Sequence, residues 1–327
     1  MYTSKKAQAG LTIIELMIAL VLGLLVSAAA VQLYLIAITN NQMHQALSSV
    51  QDNVGFGINY VVSDIRKVNL NTDQYFINDV TEYSGLILST ANIGDKINLN
   101  CTNCLTDSDN ANVANNKNSQ FLIRFRAAQD EYDCTGALLS KDTYVIQHYF
   151  VGTTTNDTRR SLRCKAAQYT QAQLNQATIN SKINLVWQNP ALILPNVDFF
   201  KVKFAAIEGS LENPNRLTYL TAEEYLALEP KTVNIDGILI EQRPYVHAMQ
   251  VGLILKSEQG TTSNSGLKEK NKNTFKVLGQ DVNLLTDAQD SHLRQVVNQT
   301  ITFRNALGWV DEGCDAAVTS CNKGAAL

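Results

Sequence analysis

The sequence predicts an α+β fold: one long N-terminal helix packed on an antiparallel, β-rich head. Two observations carry that expectation. From Leu16 to Val31 there is no charged residue and the apolar character runs on to Ile38, whereas from Asn69 onward short strand-like runs alternate with polar, Asn-rich loops. Runs of strands that are not interleaved regularly with helices favour an antiparallel sheet. With 45% hydrophobic and 17% charged residues, the 327-residue chain has enough apolar side chain for a sizeable core.

The apolar run begins after a short basic leader, Lys5 and Lys6 followed by Gly10, and carries one acid, Glu15, near its start. It is long enough as a helix to cross a bilayer core of about 30 Å. Three processing schemes compete. A secretory signal cut after Ala28-Ala29-Ala30 would release a chain starting at Val31, a signal anchor would stay uncut, and a cut after Gly10 would leave the run in place with Leu11 first. Glu15 separates them, because a carboxylate at mid-bilayer costs about 3 kcal/mol and gains nothing in a discarded peptide. It needs a partner. A cut after Gly10 creates an amine on Leu11, which a neighbouring copy or relative can bring to Glu15 where an unpaired charge is expensive.

Past Ile38 the pattern becomes one-sided. Met43, Leu47, Val50, Val54, Ile58, Val61, Ile65 and Val68 recur at steps of four and three, which places them on one stripe, with Asn41, Gln45, Ser49, Asp52, Asn59 and Ser63 on other faces. Leu11 to about Val68 therefore reads as one helix roughly 85 Å long, half in lipid and half on a globular domain. The Gly55-Phe56-Gly57 step marks a bend or a close backbone approach within it.

In the head, strands are expected at Gly85–Ser89, Phe121–Arg126 (Phe121, Ile123 and Phe125 on one face), Tyr144–Val151, Val197–Ile207, Val246–Leu255 and Val296–Phe303. Short helices are expected at Thr170–Ala177 and Thr221–Leu228, where Thr170 with Gln173 and Thr221 with Glu224 have capping-box spacing. The polar stretches Thr106–Gln120 and Lys256–Thr274 read as exposed loops. Asp107 and Asp109 lack the ligand ladder and closing Glu of an EF-hand, so no calcium loop is expected.

Six cysteines, Cys101, Cys104, Cys134, Cys164, Cys314 and Cys321, all follow the apolar run. Their even number on an oxidising side argues for disulfides, and proximity pairs Cys101 with Cys104, Cys134 with Cys164, and Cys314 with Cys321 among fifteen formal possibilities. The Cys101–Cys104 CxxC sits among asparagines rather than at a helix start, which disfavours a redox motif, and it lacks a second close pair for zinc; a structural bridge is the better account. His44, His148, His247 and His292 are scattered, with His148 and His247 inside strand-like runs as packing or surface residues. No nucleophile elbow, phosphate loop or dinucleotide fingerprint occurs, so no catalytic residue, metal or cofactor is expected. The formal charge of −3, or −5 without Lys5 and Lys6, gives no footprint for nucleic acid. Basic residues precede the apolar run and none follows it until Arg66 and Lys67, so the leader should stay cytoplasmic and the rest should cross.

GLTIIEL resembles the prepilin cleavage and methylation motif of type IV pilins and type II secretion pseudopilins. The resemblance implies Gly10 as the last leader residue, Leu11 as the cleaved and N-methylated first residue, and Glu15 as the acid of the assembly charge pair. Leu293–Leu307, LRQVVNQTITFRNAL, is similar to the end of PilW-type minor pilins, as is the large head. No proline breaks the membrane half, where Gln32 occupies the zone in which many major pilins carry one; this weakens the case for a bulk filament subunit. The organisation implied is a leader over residues 1–10, a membrane and assembly helix over 11–38, its amphipathic continuation over 39–68 and a periplasmic head over 69–327. The role implied is that of a minor pilin which joins others to prime a type IV pilus and rides near its tip. Its partners would be minor and major pilins, the prepilin peptidase, the inner-membrane assembly platform and a pilus-tip adhesin. A J-type pseudopilin of a type II secretion system would share the N-terminal chemistry, and a signal-anchored periplasmic enzyme or binding protein would make Glu15 incidental.

Overall fold

The computed structural model describes residues 10, 12–101, 103–108, 112–153, 159–210, 213–235, 238–260 and 265–306. Leu11, the basic leader, Cys314 and Cys321 lie outside them. Thr12 caps a helix over Ile13–Asn53, which passes through a π-helical turn at Val54–Ile58 into a last helical segment, Asn59–Ile65. Beyond it Asn69 takes a left-handed conformation (φ 62°), one that asparagine tolerates at a helix exit. Asn305 Nδ2, from the far end of the described chain, donates to the carbonyls of Arg66 (3.0 Å) and Val68 (3.1 Å), acceptors that the ending helix leaves open.

Most of the expected stripe is core: Val50, Ile58, Val61, Ile65 and Val68 are buried and Val54 packs at their edge. Leu47, 39% exposed, and the partly buried Met43 are the exceptions, with Ala46 buried in place of Leu47. A 3.5-residue repeat drifts about 20° per heptad on a real helix, and the π turn adds a further step of phase between the two ends. The same turn explains Gly57. A Cβ there would collide with the Leu194 side chain and lie 3.0 Å from the Ile193 carbonyl, so the helix touches the strand Ala191–Leu194 where only glycine fits.

Two antiparallel sheets share that core. The first has the order Leu86–Ile87, Phe121–Arg126, Tyr144–Gly152, Ser161–Tyr169, Ala191–Leu194, and the second the order Asn213–Leu220, Val197–Ser210, Tyr245–Lys256, Arg294–Thr302. All six expected strands are present, but Gly85–Ser89 shrinks to Leu86–Ile87, and Ser161–Tyr169, Ala191–Leu194, Asn213–Leu220 and the hairpin Lys231–Ile235 with Ile238–Gln242 were not foreseen. SLRCKAAQY has little β-branched character; its place in the middle of a sheet comes from neighbours on both sides, which override propensity. Both expected short helices form, Gln171–Gln176 and Ala222–Leu226, each with its capping box.

Each sheet is covered on its second face as well. Ile87, Leu122, Ile146 and Tyr169 of the first sheet meet Ile97, Leu99, Cys104 and Leu185 from connecting segments that include a short parallel pair, Ile97–Asn98 with Ile183–Asn184. Phe199 and Ile254 of the second sheet meet Val113, Val277, Val282 and Leu284. The two stretches expected as exposed loops thus pack in part. Val113, Asn118 and Ser119 are buried, as are Leu267 and Asn271, and Asn118 Oδ1 accepts from the Phe200 N–H at 2.8 Å. Asparagine side chains supply the backbone hydrogen bonds that irregular chain lacks, which lets polar sequence pack. Asp107 pairs with Lys201 Nζ at 2.6 Å.

Cys134 and Cys164 are joined, with Cα atoms 6.0 Å apart and both residues within the main core. Cys134→Ala with Cys164→Ala is expected to lower unfolding free energy by about 3–4 kcal/mol, the loop-closure value for a separation of 30. Denaturant melts of the full chain check this; an unchanged midpoint would show the bridge to be dispensable.

Candidate functional site

The candidate site is the N-terminal helix and its mooring on the head. Thr12 and Glu15 form a capping box: the Glu15 N–H donates to Thr12 Oγ1 (3.3 Å), while the Glu15 carboxylate accepts from the Thr12 N–H and hydroxyl, both at 3.0 Å. The helix therefore starts three residues after Gly10, with an acid where the N-terminal end of the helix dipole favours one. The T-x-x-E spacing at Thr12 and Glu15 is itself the sequence signal for this cap.

Every large apolar side chain from Ile13 to Ile36 is more than half exposed. One helix in the described residues is long and apolar enough to cross a membrane, and its apolar window lies clear of the head. Its small polar groups close on themselves, Ser27 Oγ donating to the Gly23 carbonyl at 2.8 Å and Thr39 Oγ1 to that of Leu35 at 2.9 Å. Nothing polar in those two turns asks for water, which suits a lipid setting. Only another apolar medium, lipid or like helices, can cover so much hydrocarbon.

At its other end the helix is held by a buried polar cluster. Asp64 accepts from the Tyr149 hydroxyl at 2.5 Å and lies 3.5 Å from Lys67 Nζ, which bonds Glu131 at 2.6 Å. Gln147, oriented with its nitrogen toward Asp64, donates at 2.7 Å while its oxygen accepts from the Cys134 N–H at 3.0 Å. Burial pushes the Asp64 carboxyl above its ordinary value, and Tyr149 and Lys67 only partly pull it back. The folded chain then holds that proton more tightly than the unfolded one. Asp64 contributes its full stability below the unfolded value and loses it as pH rises through the folded value. The head and helix are thus one mechanical unit, fixed by the hydrophobic stripe and this cluster.

Of the other predicted residues, Cys101 and Cys104 are joined, with Cα atoms 5.9 Å apart. They lie beside His148, which the sequence marks as a packing or surface residue; burial first, then the Lys165 charge, holds its imidazole down to about 3, so it is neutral at neutral pH. Gly10 is exposed at the start of the described chain.

No curated protein and no solved structure matches the chain. Two family models do. The prokaryotic N-terminal methylation motif matches residues 5–31, and the type IV pilus-assembly protein W (PilW) model matches residues 148–305, from the third strand of the first sheet through the whole second sheet to the Asn305 that closes the helix end. With a methylation-motif helix left uncovered at one end and moored at the other on a head of the PilW kind, the chain is a type IV minor-pilin-like protein.

Proposed function

We propose that the chain is a minor pilin subunit that helps initiate a type IV pilus and is carried near its tip. The observation that carries this reading is the apolar half of the helix, continuous with the core of the head yet covered by none of it. A subunit built this way leaves the bilayer only when like helices replace lipid around it. Cleavage after Gly10 removes residues 1–10 and makes Leu11 the methylated first residue; 11–38 serve as membrane and assembly helix, 39–68 as its moored continuation and 69–327 as the head. The chain is held in the inner membrane with its head in the periplasm, where the Cys134–Cys164 bridge suits an oxidising compartment, and then passes to the extracellular pilus. Its partners are other minor and major pilins, the prepilin peptidase and the assembly platform.

The test is the mass of the N-terminal peptide of membrane-extracted protein, with and without the cell's prepilin peptidase. A chain starting at Leu11 and heavier by one methyl group, absent in the peptidase mutant, is expected; one starting at Met1 or Val31 would end the reading. A J-type pseudopilin gives the same peptide, so co-purifying partners decide between pilus and secretion system.

A further inference from the structure

On the second face of the first sheet the CxxC loop folds over His148. Cys104 and His148 are buried and Cys101 partly so, and both sulfurs and a ring nitrogen of His148 lie within 4.8 Å of one another. Gln120 ties the two parts together and settles the imidazole tautomer. Its Nε2 donates to the carbonyls of Asn103 (2.5 Å) and Thr106, which leaves its Oε1 to face His148 Nε2 at 2.8 Å. An amide oxygen only accepts, so Nε2 carries the ring proton and Nδ1 keeps its lone pair. That Nδ1 is buried and has no hydrogen-bond partner. A histidine held by its N–H on an outer oxygen, with the opposite nitrogen bare, is the arrangement that metal-binding histidines use. Lys165, paired across the strands with His148, puts its ammonium 3.2 Å from Cys101 Sγ, where it favours thiolate over thiol.

We propose that, with its cysteines as thiolates, this trio binds one zinc ion through Cys101 Sγ, Cys104 Sγ and His148 Nδ1, the fourth position facing an open cleft. Cys101 and Cys104 line that cleft, together with Ile97, Asn98, Asn100 and Asn103. Two thiolates and an imidazole suit a borderline-soft, tetrahedral ion, and two thiolates neutralise a divalent charge, so Lys165 meets no net positive centre. The Cys101–Cys104 disulfide of the structure is the alternative closure of the same loop. A dithiol opens it by giving two electrons and two protons and becoming a disulfide itself; zinc then displaces one proton from each thiol.

The experiment uses the full chain in detergent without a histidine tag, carrying Cys314→Ser and Cys321→Ser so that those thiols cannot contribute. After phosphine reduction and gel filtration it is expected to retain about one zinc per chain, and cobalt(II) in its place should give sulfur-to-metal charge transfer and tetrahedral visible bands. The unreduced chain should retain none. Adding Cys101→Ser and Cys104→Ser should abolish retention, and Gln120→Ala, which leaves all three ligands, should weaken it roughly 10–100-fold. Circular dichroism establishes that each variant is folded. Zinc absent from the reduced chain, retained without Cys101 and Cys104, or indifferent to both Gln120→Ala and His148→Ala overturns the proposal.

Discussion

Replacing Glu15 with glutamine is expected to leave membrane insertion intact and to cut recovery of the chain with its partner pilins at least tenfold. Two roles converge on this side chain, and their magnitudes separate them. As the third residue of the helix it closes the capping box with Thr12, worth about 0.5–2 kcal/mol. As a carboxylate in an apolar run it costs about 3 kcal/mol unless paired, and on the proposed cleavage after Gly10 the Leu11 amine would be the cation available. Glutamine serves the capping box nearly as well as glutamate but cannot pair with a cation. Thr12→Val does the reverse, removing the hydroxyl that caps Glu15 and leaving the charge. Glu15→Gln should therefore fail as badly as Glu15→Ala, with Thr12→Val close to normal; tenfold in recovery corresponds to about 1.4 kcal/mol. The measurement is the fraction of membrane-inserted chain that co-purifies with other pilins. Wild-type recovery of the glutamine variant would sink the charge-pair mechanism, and equal loss in Thr12→Val would move the cause to the cap.

The long helix and the strands Phe121–Arg126, Tyr144–Gly152, Val197–Ser210, Tyr245–Lys256 and Arg294–Thr302 were legible because each has a repeating apolar pattern of its own. What was not legible depends on partners far along the chain. Arg124 sits in a strand whose alternation points it away from the helix, which reads as outward, yet it is 1% exposed because connecting segments cover that face and bring Tyr83 under its guanidinium at 5.1 Å. Ser161–Tyr169 was missed for the same reason, since its burial is a property of the sheet rather than of SLRCKAAQY. At the candidate site, Glu15 stands out in the sequence by its cost in lipid and Gly10 by its position before the run. Asp64 was not singled out, because an aspartate near the end of an amphipathic helix looks solvated until Tyr149 and Gln147 are seen closing over it. The pairing of Cys101 and Cys104 with His148 needed the sheet for the same reason.

Arg294→Met is expected to be the most damaging single change in the head, costing about 3–5 kcal/mol. Arg294 opens the last strand with its side chain 1% exposed. Its Nε donates to Asp198 Oδ2 at 2.7 Å, Nη1 to Asp290 Oδ1 at 2.6 Å and Nη2 to the Ala288 carbonyl at 2.6 Å. Asp198 is as deeply buried and also accepts from Asn112 Nδ2, so one guanidinium fastens the final strand, the neighbouring connection and the 106–120 stretch to the second sheet. Methionine matches the volume, so the loss comes from Asp198 left charged in the core, not from a cavity. Removing both partners should then cost less than the sum: Arg294→Met with Asp198→Leu is expected to recover at least 1 kcal/mol relative to additivity in a double-mutant cycle read by denaturant melts. Strict additivity would mean that the pair is not coupled. The same variant should alter the acid limb. Burial pushes the Asp290 carboxyl up, but the Arg294 hydrogen bond and charge, with His292, outweigh it and leave it below its usual value. A depressed carboxylate contributes stability above its unfolded value and loses it only as pH falls through the folded value, below about pH 4. Without Arg294 that protection goes, and acid unfolding of Arg294→Met should begin at higher pH than in the native chain.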